Sequence, residues 1–194
     1  KTMSDHSHHA VIAVVLCVRD GKLDASLRRV DRAPGEALEA ALARAADVDA
    51  LAYVEQLDTR LLPDGTLATS YLGLVPRGRE LPQGDTKDDE LVRAARARLR
   101  AKLSYTNVGF ALAPETFTIS ELREVYVAAL GYDVSATNLQ RVLVRRGVLD
   151  RVEGRRAPGR SGGRPAALFR FASRRLEITD EFAALRPPGS RASG

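Results

Sequence analysis

Between Phe117 and Gly147 the sequence twice marks where a helix starts and where it stops, which leaves that stretch few folds to choose from. Thr118-Ile119-Ser120-Glu121 is a capping box: the threonine hydroxyl takes an orphan helical N–H, and the glutamate three residues on reaches back to the cap. Leu122, Val125, Tyr126 and Ala129 then recur at helical spacing as far as Gly131, the residue type that ends helices in the left-handed conformation. A second start signal lies at Ser135 to Thr137; Leu139, Val142 and Leu143 repeat, and Gly147 stops the run. A strand-like stretch from Val148 to Val152, a Gly/Pro/Arg-rich loop from Gly154 to Pro165 and a strand at Ala167 to Phe171 follow. The order is helix, turn, helix, hairpin wing.

The second of these helices has two unlike faces. If Leu139, Val142 and Leu143 pack inward, Asn138, Gln140, Arg141, Arg145 and Arg146 are left to reach outward. Arg can pair bidentately with guanine and Asn or Gln with adenine, and all of them can hold phosphate. A merely solvated basic helix is the plain alternative. The wing adds Arg155, Arg156, Arg160 and Arg164 among Gly154, Gly159, Gly162 and Gly163. Glycines let backbone come close to a phosphate, and Arg is favoured in narrow minor grooves. An ordinary flexible loop has no need of four arginines.

Charge supports this reading because it is unevenly spread. Residues 1–90 carry 11 Lys/Arg against 16 Asp/Glu, whereas residues 138–175 carry 11 Arg against Asp150 and Glu153 alone. A basic segment of this density needs a polyanionic or acidic partner: nucleic acid, an anionic membrane or an acidic protein. Membrane binding would favour Trp, Phe or Leu beside the charge, and the arginine loop has none, so no membrane partner is expected. RNA recognition would favour interleaved aromatics, and Tyr126 and Tyr132 do not form such an array.

In the front half, Ala10 to Val18 reads AVIAVVLCV. No cationic segment precedes this run, Arg19-Asp20-Gly21 follows at once, and it falls short of the roughly 20 residues of a membrane helix. A buried strand is the better reading, with the lone Cys17 a small core residue in a reducing, cytoplasmic compartment. Arg19 to Lys22 reads as a hairpin turn into Leu23 to Val30, and Pro34-Gly35-Glu36 opens a helix with Leu38, Ala41, Leu42 and Ala45 on one face. Strands are expected near Ala52 to Arg60 and Ala68 to Val75, a surface loop over Pro76 to Asp85, and a linking helix over 88–104 with a solvated Arg face. His6, His8 and His9 fall in a polar tail and suggest solvated side chains more than a metal site. The expected layout is a disordered tail at 1–9, an α+β domain at 10–113, a winged helix domain at 114–186 with a boundary near Ala113-Pro114, and a disordered tail at 187–194.

From Leu91 to Phe171, through the stretches LRAKLSYTNVGFALAPETFTISELREVY and GGRPAALFRF, the chain closely resembles the NrtR group of Nudix-related transcriptional regulators. YVEQLDT and ATSYLGLVP share that look more weakly. The resemblance implies a Nudix-like α/β/α sandwich with a mixed sheet ahead of the winged helix. It also implies a homodimer on a palindromic double-stranded operator, repression of NAD biosynthesis or salvage genes, and a front domain that senses ADP-ribose or a related nucleotide. A Nudix hydrolase needs the helical motif Arg-Glu-x-x-Glu-Glu, whose carboxylates hold Mg²⁺ against a diphosphate. Setting Glu36 on the first glutamate of the box places Arg44, Ala45, Ala46, Asp47, Val48 and Asp49 on the motif. Two of three metal-binding glutamate positions are thus Ala45 and Val48, and Arg28 to Ala33 stand where a Gly-Gly stretch belongs. No catalytic residue, no metal ligand and no required cofactor are expected, with Glu36 and Arg44 as candidate effector contacts. The alternative is an ADP-ribose or nucleoside-diphosphate hydrolase with a basic appendage, its site displaced onto Asp47 and Glu39.

Overall fold

β1 (His9–Arg19) is buried from Ala10 through Val18 on both of its faces, which is why its sequence is an unbroken apolar run instead of an alternating one. It pairs antiparallel with β2 (Lys22–Asp31) and parallel with β4 (Leu67–Leu74), and β4 pairs antiparallel with β3 (Tyr53–Leu61). The sheet order is β2-β1-β4-β3, the mixed sheet expected. Asp20 and Gly21 both take left-handed backbone (φ 48° and 72°), the turn whose twist matches a two-residue hairpin.

This computed structural model describes residues 8–85, 90–157 and 165–180. The chain divides into two units, Lys1–Arg98 and Leu99–Gly194, so the expected boundary at Ala113-Pro114 falls inside the second. In the first unit α1 (Leu38–Ala45) lays Ala41, Leu42 and Ala45 on the odd-numbered side chains Val11, Ala13, Val15 and Cys17. Ile12, Val14, Leu16 and Val18 face the other way and are buried too. On α2 (Glu90–Tyr105), Leu91, Val92 and Ala95 are buried, and Arg96 donates to the carbonyl of Leu23 at 3.2 Å. The start expected for this helix at residue 88 lies outside the described residues. His9 belongs to β1, not to a solvated tail: its Nε2 sits 2.9 Å from Thr69 Oγ1, a partner on β4 that local sequence could not reveal. His6 lies outside the described residues.

The second unit holds α3 (Ile119–Leu130), α4 (Ala136–Arg145), β5 (Leu149–Arg156) and β6 (Ala166–Phe171). The capping box closes as its sequence requires: Glu121 N–H donates to Thr118 Oγ1 at 3.2 Å, and Thr118 N–H donates to Glu121 Oε2 at 2.7 Å. Gly131 ends α3 in the left-handed conformation (φ 79°), and a Cβ there would lie 2.9 Å from the Arg100 guanidinium. Ser135 Oγ accepts from Asn138 N–H at 3.1 Å and caps α4. Phe117 and Phe169 exchange both backbone hydrogen bonds, 2.9 and 2.8 Å, which ties the entry to α3 to β6. Phe117 also packs its ring 5.5 Å from that of Phe171. Buried Asn107 clasps the end of the described chain, donating from Nδ2 to Arg175 O and accepting at Oδ1 from Glu177 N–H. Among the described residues no helix is long and apolar enough to cross a membrane.

Candidate nucleic-acid interface

α4 is short, and its position is over-determined. Leu139 and Leu143 are buried, Ser135 fixes its first turn, and Arg123 of α3 straps the connecting loop by donating to Val134 O at 2.7 Å and to the Asp133 carboxylate. What is left on the far side is exposed: Asn138, Gln140, Arg141 and Arg145, together with Thr137 and Val144. Arg141 Nη2 donates to Asn138 Oδ1 at 2.8 Å, so these two polar side chains form one pre-oriented pair. The side chains of Gln140 and Arg145 have no hydrogen-bond or ion-pair partner among the described residues. A rigid helix that presents hydrogen-bonding side chains to solvent can meet base edges without reorganising first.

Arg146 does not share that face. Its guanidinium lies 3.1 Å from the Asp180 carboxylate with the side chain only 16% exposed, so its charge is already matched from inside the unit. The wing also differs from expectation. β5 runs on to Arg156, which places Arg155 and Arg156 on a strand and not in a loop. The extension carries a bulge, since pairing with β6 slips between Val152 and Arg155 and Gly154 takes φ 99°. Arg156 turns back on α3, its Nη2 3.5 Å from Thr116 O and its Nε 3.5 Å from Glu121. Arg155 stays exposed, and with Arg151, Val152, Glu153 and Gly154 it lines a surface groove of about 440 Å³. Arg160 and Arg164 lie outside the described residues. Sequence reasoning overlooked Thr137, Val144 and Arg151; for the first two the missed signal is their i, i+4, i+7 spacing with Arg141.

At the other candidate site, in the first unit, Glu36 and Arg44 hold each other. Arg44 Nε donates to Glu36 Oε1 at 2.9 Å and Nη2 to Oε2 at 2.7 Å, while Ala33 N–H adds a third bond to the same carboxylate. These contacts, the guanidinium's first, hold the Glu36 carboxyl below the ordinary carboxylate range and raise the Arg44 guanidinium. The pair clamps the turn ahead of α1 onto the helix. Ala45 and Ala46 are sunk in the apolar core, and Val48 and Asp49 sit in a short 3-10 turn, Val48–Ala50. Among the described residues no three His, Cys, Asp or Glu side chains converge as a metal site.

Residues 109–171 match the family model of the NrtR DNA-binding winged helix domain. The C-terminal domain is an NrtR-type winged helix. A curated relative, the ADPR responsive transcriptional repressor NtrR of Acinetobacter baylyi, is 34% identical over 83 residues, which cover 43% of this chain. That match spans about a third of the relative's length (32%). The fold of NrtR from Shewanella oneidensis, solved in complex with a 27mer DNA, superposes with a TM-score of 0.63 at 24% identity, over 84% of this chain and 92% of that one. A MutT/nudix family protein from Enterococcus faecalis superposes with a TM-score of 0.64 at 16% identity, covering 88% and 90%. Over most of its length the chain therefore shares the fold of these two structures, a Nudix-like mixed-sheet domain followed by a winged helix.

Proposed function

We propose that this chain is a DNA-binding transcriptional repressor of NAD biosynthesis or salvage genes that acts as a homodimer on a palindromic operator in the cytoplasm. The observation that carries the reading is the exposed face of α4, where the Asn138–Arg141 pair, Gln140 and Arg145 stand unmatched by anything in their own unit among the described residues. Arg155 and Arg151 of β5, with Arg160 and Arg164 beyond the described residues, supply phosphate or minor-groove contacts. Arg146 and Arg156 support the interface from behind by fixing the helices they touch. The Nudix-like domain does not hydrolyse its ligand, because Ala45 and Val48 stand where metal-binding glutamates would, and a hard dication is poorly held by the remaining Asp49. It serves as sensor of ADP-ribose or a related nucleotide, with the outer edge of the Glu36–Arg44 pair as one contact. The relative's ADP-ribose response supports that role.

The test is fluorescence anisotropy of the full chain against promoter DNA of NAD-metabolic genes and against scrambled DNA, over a salt series, with and without ADP-ribose. Specific binding that ADP-ribose changes is the expected result. Equal, weak and steeply salt-dependent binding to every DNA overturns the regulator reading, and magnesium-dependent release of AMP from ADP-ribose overturns the loss of hydrolysis.

A further inference from the structure

On the exposed side of α4, away from buried Leu139 and Leu143, Thr137, Arg141 and Val144 lie in one row at i, i+4 and i+7, with Arg141 most directly opposite the buried pair. Val144 is 50% exposed and apolar, in the last turn of α4, on a face otherwise made of Thr137, Asn138, Gln140, Arg141 and Arg145. A stray exposed apolar residue on a protein surface needs no explanation. This one shares the exposed face of its helix with hydrogen-bonding side chains, Gln140 and Arg141 one turn back and Arg145 beside it, and its β-branched side chain is a poor helix former that gains nothing from solvent. Its apolar surface is useful only if an apolar partner arrives at the same place as the polar ones.

The major groove offers one apolar group at the base edges, the 5-methyl of thymine. We propose that Val144 packs on a thymine 5-methyl group and so selects thymine in each operator half-site, a reading that rests on the DNA-binding function proposed above. The same geometry gives the register. Three residues of helix advance about 4.5 Å, against about 3.4 Å between successive base pairs along a strand. The selected thymine therefore lies within one or two steps of the base pair read by Arg141. It contributes discrimination by shape and desolvation, while Arg141, steadied by Asn138, contributes it by hydrogen bonding.

The test begins with selection of bound sequences from a random duplex library by the full-length protein. In the selected site each thymine is then replaced in turn by deoxyuridine, which keeps every hydrogen bond and removes only the methyl. One position per half-site is expected to lose affinity about fourfold for the wild-type protein, the worth of one buried methyl-sized group. The same replacement is expected to leave Val144→Ala unchanged, and since alanine at an exposed helical position favours the helix, that variant folds. If no sequence is enriched, the DNA-binding reading fails and this inference with it. If a site is enriched but tolerates deoxyuridine at every thymine, or if the loss is the same in Val144→Ala, the regulator stands and the Val144 contact is overturned.

Discussion

α1 and α4 are two short helices with a buried apolar stripe and an arginine in the last turn, yet they treat their charge in opposite ways. On α1 the guanidinium of Arg44 is spent inside the unit, on Glu36 and the carbonyl of Asp31. On α4 Arg145 has no ion-pair partner among the described residues, and Arg141 is bound only by a neutral amide oxygen that leaves its charge uncompensated. An arginine next to a matching carboxylate belongs to the architecture. An arginine held in place but unmatched leaves its charge open to solvent or to an anion from outside. The two units thus handle charge differently: in the first, Arg44 is paired with Glu36 across the entry to α1, and in the second, the exposed arginines of α4 have no carboxylate partner among the described residues.

The most severe way to break the contrast is to remove the frame that holds α4. Phe117 is fully buried, bonded through its backbone to Phe169 and packed on Phe171. Phe117→Ala is expected to cost the C-terminal unit about 3–5 kcal/mol, read as a lower urea midpoint by circular dichroism, with affinity for the operator lost alongside. Retention of full stability would mean that the wing is not anchored through this ring.

Arg141→Ala separates function from fold. Its loss is expected to weaken specific DNA binding by about 1–3 kcal/mol if it reads a base, with the unfolding midpoint unchanged because the residue is exposed and held only by Asn138. Anisotropy on cognate and scrambled duplexes tells base from phosphate, since a phosphate contact weakens both equally. The corresponding change on the other helix, Arg44→Ala, is expected to reverse the pattern: a lower midpoint for the first unit and unaltered DNA affinity in the absence of effector. DNA affinity that falls with Arg44→Ala would collapse the distinction between the two helices.

Gly131→Ala tests the turn that aims α4. The left-handed backbone costs a residue with a Cβ about 1–2 kcal/mol, and the new methyl also presses on Arg100. A midpoint lowered by that order is expected, and an unchanged one would show that the turn relaxes freely.

These helices were legible to different depths in the sequence, and the difference is physical. The capping box at Thr118–Glu121, the stop at Gly131 and the cap at Ser135 rest on bonds within a few residues of chain, so the sequence carries both partners side by side. Arg146 was misjudged because its partner, Asp180, is 34 residues away. Arg156 turned back on Thr116 for the same reason, across 40 residues. Val144 was passed over because hydrophobic periodicity is a search for what is buried, and an apolar residue on the wrong face looks like noise until the face itself is seen. The buried stripe of α1, Ala41, Leu42 and Ala45, was readable from its helical spacing. The Glu36–Arg44 clamp was not, because both had been assigned outward to a ligand.

The finest test of that clamp is its pH dependence. The carboxyl of Glu36 is held below its ordinary value, near 4.3 in an unfolded chain, chiefly by the hydrogen bond from Arg44 and then by that from Ala33. A group with a lowered folded pKa binds fewer protons folded than unfolded, so stability rises with pH across the interval between the two values. The clamp's contribution is therefore complete above the ordinary glutamate value and disappears as pH falls through the lowered one. The Arg44 side chain is half exposed and Glu36 lies partly covered at the surface beneath it, so the effect is modest and fades with added salt. Glu36→Gln is expected to flatten this limb of the urea-midpoint profile below about pH 4.3 while leaving the profile near neutrality parallel to wild type. If the two profiles keep the same slope through the acid limb, Glu36 is not held by Arg44 in solution, and its carboxylate is as available to a ligand as the guanidinium groups of α4 are to DNA.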